Sequence, residues 1–597
     1  MSLRRRSLLG ATGAVALPSF AVSALGERVL RYALPASESG FDPQKLNDVY
    51  SIAVTAHIFE SLYEYDHLAR PYKLKPVLAD GLPEAADDHT RFTVRLQRGV
   101  YFQDDPAFKG RRREVTAHDV VYTFKRLYDP VTQSASMSTF EDLGVLGLMA
   151  LRDEAIQKKR PFDYERPIDG LRALDRYTVQ FRLREPRPRF AFALTSPGTW
   201  GVMAREVVEH YGEAIGEHPV GTGPFVLKEW RRSSRIVLAR NPAYRERFYD
   251  AEPNADDAEG HAWVARFKGR RLPLLDRVEL AVIEEAQPRW LAFLNEEQDL
   301  LQGLPNDFVN QAVPGGQLAP HLAQRGIRML RGPAADVTLT VFNLDDPVVG
   351  GLAPAQVALR RAIGLALDIR REIALARRGQ GVPAQGPLPP GVSGHDAALR
   401  TEADLYDPAR ANALLDLYGF VDRDGDGWRE RPDGSPLVLQ MLSQADQTSR
   451  QSDEVFKKGL DAVGLRLQLK VGQWSENLKA VRAGRFTMWR VGESASSPDG
   501  QGLLEIAYGP AVGKGNLARF SLPAFDRLYD RLQRLPDGPA RDALFRQATA
   551  LLIAYAPYRY HVHRTITDLA HPWVVGYRKP VCWYSWWSYV DVEPHLR

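Results

Sequence analysis

Short strand-like and helix-like stretches alternate along almost the whole of this chain, and no segment repeats at the period of about 20–50 residues that marks solenoids and propellers. Arg91-Phe92-Thr93-Val94-Arg95-Leu96 and Tyr177–Leu183 each switch between polar and apolar residues at every step. That pattern belongs to an antiparallel sheet with one wet face. Between them, Thr116 and Asp119 suit the start of a helix that carries Val120, Val121, Phe124 and Leu127. Upstream, Arg28–Ala33 reads as a strand ended by Pro35, and a helix from about Asp48 to Leu62 would bury Ile52, Ala56, Ile58, Phe59 and Leu62. Downstream come a strand at Val337–Asn343, an amphipathic helix at Ala355–Arg371 and a Pro/Gly-rich loop at Gly379–Gly394. Ala524–Tyr555 reads as helix, broken near Pro536–Pro539. With 597 residues the chain is too long for a single core, so two or three α/β lobes are expected.

Charge and termini narrow the compartment. The formal net charge is +4, and outside the N-terminus the densest basic stretch is Arg111-Arg112-Arg113 with Lys109. A nucleic-acid partner, which asks for a concentrated basic stripe, is not expected. Arg4-Arg5-Arg6 precedes an apolar run from Leu8 to Phe20, and small residues follow at Ala21, Ser23 and Ala24. Residues 1–26 thus have the layout of an export signal rather than of a membrane span, which takes about 20 apolar residues. Arg5-Arg6-Ser7-Leu8-Leu9 is similar to a twin-arginine signal, although Arg4 stands where Ser or Thr is usual; the general secretory route is the alternative. Cleavage is placed after Ala24, with Gly26 as the alternative. The lone Cys582 excludes an intramolecular disulfide, and no cysteine stands at the cleavage site to carry a lipid. A free, periplasmic protein is the expectation.

Several segments then carry a family resemblance. They are Phe59–Asp66, Thr90–Leu96 followed by Gly99-Val100-Tyr101-Phe102, Val115–Thr123, the turn Pro219-Val220-Gly221-Thr222-Gly223-Pro224-Phe225, and Phe342-Asn343 with the helix after it. In this order they resemble the bacterial extracellular solute-binding proteins of family 5, the oligopeptide-, dipeptide- and nickel-binding proteins. The resemblance implies a bilobed periplasmic-binding-protein-like fold of type II with an extra domain inserted in the first lobe. On this chain the first lobe would comprise 27–60, 215–335 and 566–597, the inserted domain 61–214, and the second lobe 336–565. It also implies a monomeric substrate-binding component of an ABC importer, without a cofactor, that closes on a peptide or peptide-like solute and delivers it to an inner-membrane permease. The Gly221/Gly223 turn itself is read as structural, since no Lys-Ser/Thr follows to make a phosphate loop.

In peptide-binding relatives an acidic residue after a Trp-containing strand meets the ligand's α-ammonium group. Here Glu493 lies nearest that place in Trp489-Arg490-Val491-Gly492-Glu493, where the usual Asp is absent, and Asp499 matches a later acidic residue that follows proline. A buried carboxylate facing an ammonium would set ligand polarity and register. Trp489 and Tyr508 are candidates for stacking on a ligand, and Arg490 for pairing with a ligand carboxylate. Asp422-Arg423-Asp424-Gly425-Asp426-Gly427 has the start of a calcium loop but reaches Asp433, not a bidentate Glu, at the twelfth position; a polar hairpin turn is the simpler reading. His561-x-His563 with His571 nearby is the histidine cluster, with both strand histidines expected on one side; a metal site is not assigned to it. Non-peptide cargo such as a nickel complex, haem, an opine or a sugar is the alternative reading. A hydrolase is disfavoured: His-Glu-x-x-His and Ser-x-x-Lys are absent, and Gly492-Glu493-Ser494-Ala495-Ser496 lacks the final glycine of a nucleophile elbow.

Overall fold

A computed structural model describes residues 26–597, so the export-signal reading lies outside the described residues. One large sheet runs through the molecule. Its strands lie in the order Arg466–Val471, Val438–Ser443, Met488–Ser494, Asp336–Phe342, Tyr558–Ala570, Leu300–Leu301, Val29–Leu34, Arg277–Val282, Arg235–Arg240 and Phe225–Arg231. The 13-residue strand Tyr558–Ala570 is the shared element. Its first part pairs with Thr338–Val341 and with Gly381–Pro383, whereas its last part pairs with Arg328–Pro333 and Leu300–Leu301. The neighbouring strand is interrupted at Ala334-Ala335, where the Ala334 amide donates to the Arg564 carbonyl at 2.8 Å. Two adjacent backbones thus carry the sheet from one half of the molecule into the other.

Each half has its own interior. In the first, Leu30, Tyr32, Leu280, Ile236 and Trp587 share a core with the antiparallel four-stranded sheet formed by Glu84–Ala86, Arg91–Arg95, Thr178–Arg182 and Leu171–Asp175. The two stretches of alternating residues form its central pair, with Phe92 opposite Phe181 and Val94 opposite Val179, all buried. The helix Ala117–Tyr128 covers that sheet, and Asp119 accepts from the Thr116 amide at 2.7 Å, closing its first turn as a capping box. In the second half, Val337, Leu339, Val341 and Trp489 face Leu544, Ala548 and Leu552 of the helix Pro539–Tyr555. On the opposite face Phe342, Met441 and Met488 pack with the helices Pro354–Leu365 and Gln447–Asp461.

Three departures from the expected elements have local causes. The first helix spans only Val49–Thr55, capped by Asp48, because the carbonyls of His57 and Ile58 accept from Phe225 and Gly223 instead of continuing the helix. That contact explains the glycine turn: a Cβ on Gly221 would sit 2.0 Å from the Ile58 carbonyl oxygen, and one on Gly223 would sit 2.6 Å from that of His57. The helix expected at Ala355–Arg371 is two, Pro354–Leu365 and Ile369–Ala376, because Asp368 caps a new start by accepting from the Arg371 amide. Finally, the pairing of Tyr558–Ala570 with Asp336–Phe342 slips by one residue between Leu339↔Tyr560 and Thr338↔Val562, leaving His561 as a bulge.

Candidate functional site

Beyond the shared strands, the two halves also meet through a set of ion pairs and hydrogen bonds. Arg189 reaches from the loop after the four-stranded sheet to the Asp499 carboxylate at 2.6 Å and also pairs with Asp537. It donates as well to the Tyr72 hydroxyl at 2.9 Å and lies over the Phe192 ring at 4.2 Å. Arg541 spans both oxygens of the same carboxylate, at 2.9 and 3.0 Å, and the Ser393 hydroxyl donates to Asp499 Oδ1 at 3.0 Å. Two flanking contacts repeat the pattern: Arg187 donates to Gln533, and Arg534 pairs with Glu185 at 3.1 Å. Behind Arg189, Tyr65, Tyr72, Phe192 and Trp583 form an aromatic wall, with Tyr65 and Trp583 rings 5.3 Å apart and Arg70 over Trp583 at 5.0 Å.

The sequence-predicted residues divide sharply. Glu493 is the penultimate residue of the Met488–Ser494 strand, in register with Val337; its side chain is half-buried, and no hydrogen bond or ion pair to its carboxylate forms among the described residues. Burial alone pushes its carboxyl up to about 7. Asp499 is the opposite case. Burial would raise it, but Arg189 and Arg541 outweigh that and hold its carboxyl below the usual range. Its charge is therefore answered by protein groups. Trp489 is 0% exposed in the core beneath the Pro539–Tyr555 helix, with no face toward open space. Arg490 points to the other side of the sheet, where it pairs with Asp453 at 2.9 Å and donates to the Ser449 carbonyl at 3.0 Å. Tyr508 donates its hydroxyl to Asp530 at 2.7 Å and packs on Tyr529. Two of the five keep a polar group that no neighbour takes: the Glu493 carboxylate, and the Trp489 Nε1–H, which is sealed in the core.

Arg490 belongs to a buried network with Glu372, Arg377 and His561. The His561 ring bonds Glu372 through Nδ1 at 2.9 Å and Thr340 through Nε2 at 2.9 Å, so both nitrogens are occupied. Because of the bulge, His563 does not share that environment: its Nδ1 meets the Asp336 carbonyl, and its ring lies 6.3 Å from that of His395. His571 bonds the Phe293 carbonyl and stacks on Trp573. The expected histidine cluster is thus three separate environments. In the acidic loop Asp422, Asp424 and Asp426 accept from the amides of Gly425, Gly427, Asp426 and Trp428, as in a polar hairpin turn. Glu430, not Asp433, is the carboxylate that joins them. The C-terminal aromatics close the first half: Trp587 stacks on His57 at 3.7 Å, and the amides of Trp586 and Trp587 both donate to His57 Nε2.

Arg189, Arg541, Tyr72 and Ser393 carry no chemical motif in the sequence that marks them for this site. The one local signal was Arg187-Pro188-Arg189, charged residues on a proline-stiffened loop.

No described helix is long and apolar enough to cross a membrane. The chain is 26% identical over 582 residues to the di/tripeptide-binding protein 2 of Pseudomonas aeruginosa, covering 94% of this chain and 95% of the relative. It is 22% identical over 549 residues to the heme-binding protein A of Haemophilus influenzae, covering 90% and 87% respectively. In structure it superposes with a TM-score of 0.71, at 21% identity, on the periplasmic binding protein DppA of Helicobacter pylori in complex with the peptide STSA, covering 95% of this chain and 98% of that one. The profile of the bacterial extracellular solute-binding proteins, family 5, matches residues 73–515, most of the chain, and the protein belongs to that family.

Proposed function

We propose that this protein captures short peptides or peptide-like solutes in the cleft between its halves and delivers them to the permease of an ABC importer. Residues 336–565 are read as the second lobe, and 27–60, 215–335 and 566–597 as the first, with 61–214 inserted. The crossings at Ala334-Ala335 and Arg564-Thr565 then act as a hinge, and ligand contacts both lobes only on closure. The protein works as a monomer, free in the periplasm after export, with no nucleic-acid partner and without a catalytic step.

The observation that carries this reading is Glu493, a carboxylate next to the end of its strand with no cation of its own. A ligand α-ammonium supplies the missing charge, restoring ionisation at a site where burial opposes it. The relatives named for di- and tripeptides and the neighbour solved with a bound tetrapeptide support peptide cargo. The test is a binding screen of the purified protein with di-, tri- and longer peptides, read by thermal shift and calorimetry. A true cargo at about 100 times its Kd adds roughly 2.7 kcal/mol to folded-state stability. N-acetylation of the peptide, or Glu493→Gln, is expected to weaken binding by tenfold or more. A screen in which no peptide shifts the melting, or in which acetylated peptides bind equally well, defeats the proposal.

A further inference from the structure

We infer that His395 and His563 together bind a transition-metal ion at the hinge side of the cleft. The pair is brought together from opposite ends of the second half. His563 lies on the shared strand Tyr558–Ala570, and His395 lies on the loop that bonds to that strand through Ala384 and to the Asp499 loop through Ser393. Their ring centres are 6.3 Å apart, with ring planes at 87°.

Both rings are held in the same way. His563 Nδ1 bonds the Asp336 carbonyl at 3.0 Å, and His395 Nδ1 bonds the Leu388 carbonyl at 2.8 Å. A carbonyl only accepts, so Nδ1 carries the proton in each ring and Nε2 keeps its lone pair. Neither Nε2 has a hydrogen-bond partner among the described residues, unlike His561, whose two nitrogens are both engaged. An imidazole fixed through Nδ1 to a backbone carbonyl with Nε2 free is the arrangement metal-binding histidines use.

The spacing is within reach. With metal–nitrogen bonds of about 2.1 Å, two imidazoles on one ion have ring centres no more than roughly 6.5 Å apart, and about 5.3 Å apart at a tetrahedral angle. The observed separation of 6.3 Å lies inside that limit, and a tetrahedral site would ask for a shift of about 1 Å in the His395 loop. Continuing the pairing Thr338↔Val562 by one residue sets His563 beside Val337, whose other neighbour is Glu493. The Glu493 carboxyl therefore lies on the same sheet face, two strands or about 10 Å away. Imidazole nitrogen selects zinc, copper or nickel over calcium or magnesium.

The experiment uses the full chain without a polyhistidine tag, stripped with EDTA, and titrates it with ZnCl2, CuCl2 and NiCl2 by calorimetry. One equivalent of at least one ion is expected to bind, with a Cu2+ EPR spectrum showing coupling to two imidazole nitrogens. His395→Ala, on a loop, and His563→Gln are each expected to weaken that binding at least tenfold. The metal-free melting temperature of His395→Ala should match the parent, which keeps the test valid if His563→Gln does not fold. Asp424→Asn, in the exposed acidic loop, should leave binding intact. Absence of binding by all three ions, binding that survives His395→Ala, or binding lost only in Asp424→Asn overturns the inference. Peptide binding by His395→Ala should persist, so failure here is separable from failure of the peptide reading.

Discussion

Replacing Glu493 by glutamine should change how the unliganded protein's stability depends on pH, in a direction opposite to most glutamate substitutions. The folded carboxyl is raised to about 7 from an ordinary 4.5, by burial with no compensating cation. Between these values the folded chain holds a proton that the unfolded chain has released. Stability therefore falls as pH rises through this window, and levels off above about 7. At 1.36 kcal/mol for each pH unit, the carboxylate costs the folded state at most about 3 kcal/mol once fully ionised, and less to the extent that its half-buried side chain is solvated. Glu493→Gln removes that cost while keeping the shape. The assay is urea unfolding of parent and variant at several pH values from 4.5 to 8, in the absence of ligand. The two should differ little at the acid end, and the variant should become the more stable by up to about 3 kcal/mol at pH 8. Parallel stability curves across the window would refute the reasoning, because they would mean that Glu493 is solvated or already paired. The same charge gives a proton signature to binding. At pH 6 an ammonium ligand should displace close to one proton from the parent and none from the variant, readable by calorimetry in buffers of different ionisation enthalpy.

Other perturbations test the frame around that site. Arg189→Ala leaves Asp499 with only Arg541 and Asp537 without its partner across the cleft, so the closed form should lose at least about 1.4 kcal/mol, a tenfold fall in its population. Small-angle scattering of the unliganded protein should then show a larger radius of gyration, and an unchanged radius would remove Arg189 from the closure. Gly221→Ala forces a methyl onto the Ile58 carbonyl, a backbone-on-backbone clash that should cost at least about 3 kcal/mol. A variant melting with the parent would mean that the turn has room to give. His57→Ala removes the acceptor for two buried amides and the stack on Trp587, and is expected to destabilise by about 3 kcal/mol, measured by urea unfolding. A loss below about 0.5 kcal/mol would show that the C-terminal aromatics hold themselves.

What could be seen in the chain follows the range of the forces involved. The strands at Arg91–Leu96 and Tyr177–Leu183 were visible because their alternation is a property of each stretch alone, and burial merely paired them. The Thr116/Asp119 cap was visible for the same reason. The end of the first helix at Thr55 was not, since its cause is a glycine turn more than 160 residues away that takes the carbonyls of His57 and Ile58. The roles of the acidic residues near the cleft were least visible of all. Glu493 and Asp499 read alike in sequence, two carboxylates in one loop region. They differ only through Arg189, 310 residues from Asp499, and Arg541, 42 residues from it. The bulge at His561 likewise breaks an assumption no local pattern can reveal, that residues two apart on a strand share a face.

That contrast between the two carboxylates is itself a statement about how such a cleft divides its labour. A charge already answered by protein cations, as at Asp499, strengthens closure whether or not a ligand is present. A charge left unanswered, as at Glu493, disfavours the empty cleft and is relieved only by a cationic group brought in from outside. If both carboxylates were paired internally, closing would gain nothing from the ligand. If neither were, the empty protein would have no tendency to close, and binding would have to supply the whole cost. With one of each, the Arg189 contacts bring the halves close in energy, and the Glu493 site gives the ligand its differential affinity for the closed form. Exchanging the two roles should separate them experimentally. Asp499→Asn should weaken closure with every ligand alike, whereas Glu493→Gln should raise the empty closed form's stability and abolish the preference for a free ammonium group. A variant pair in which both substitutions merely reduce affinity by the same factor for free and acetylated peptides would contradict this division.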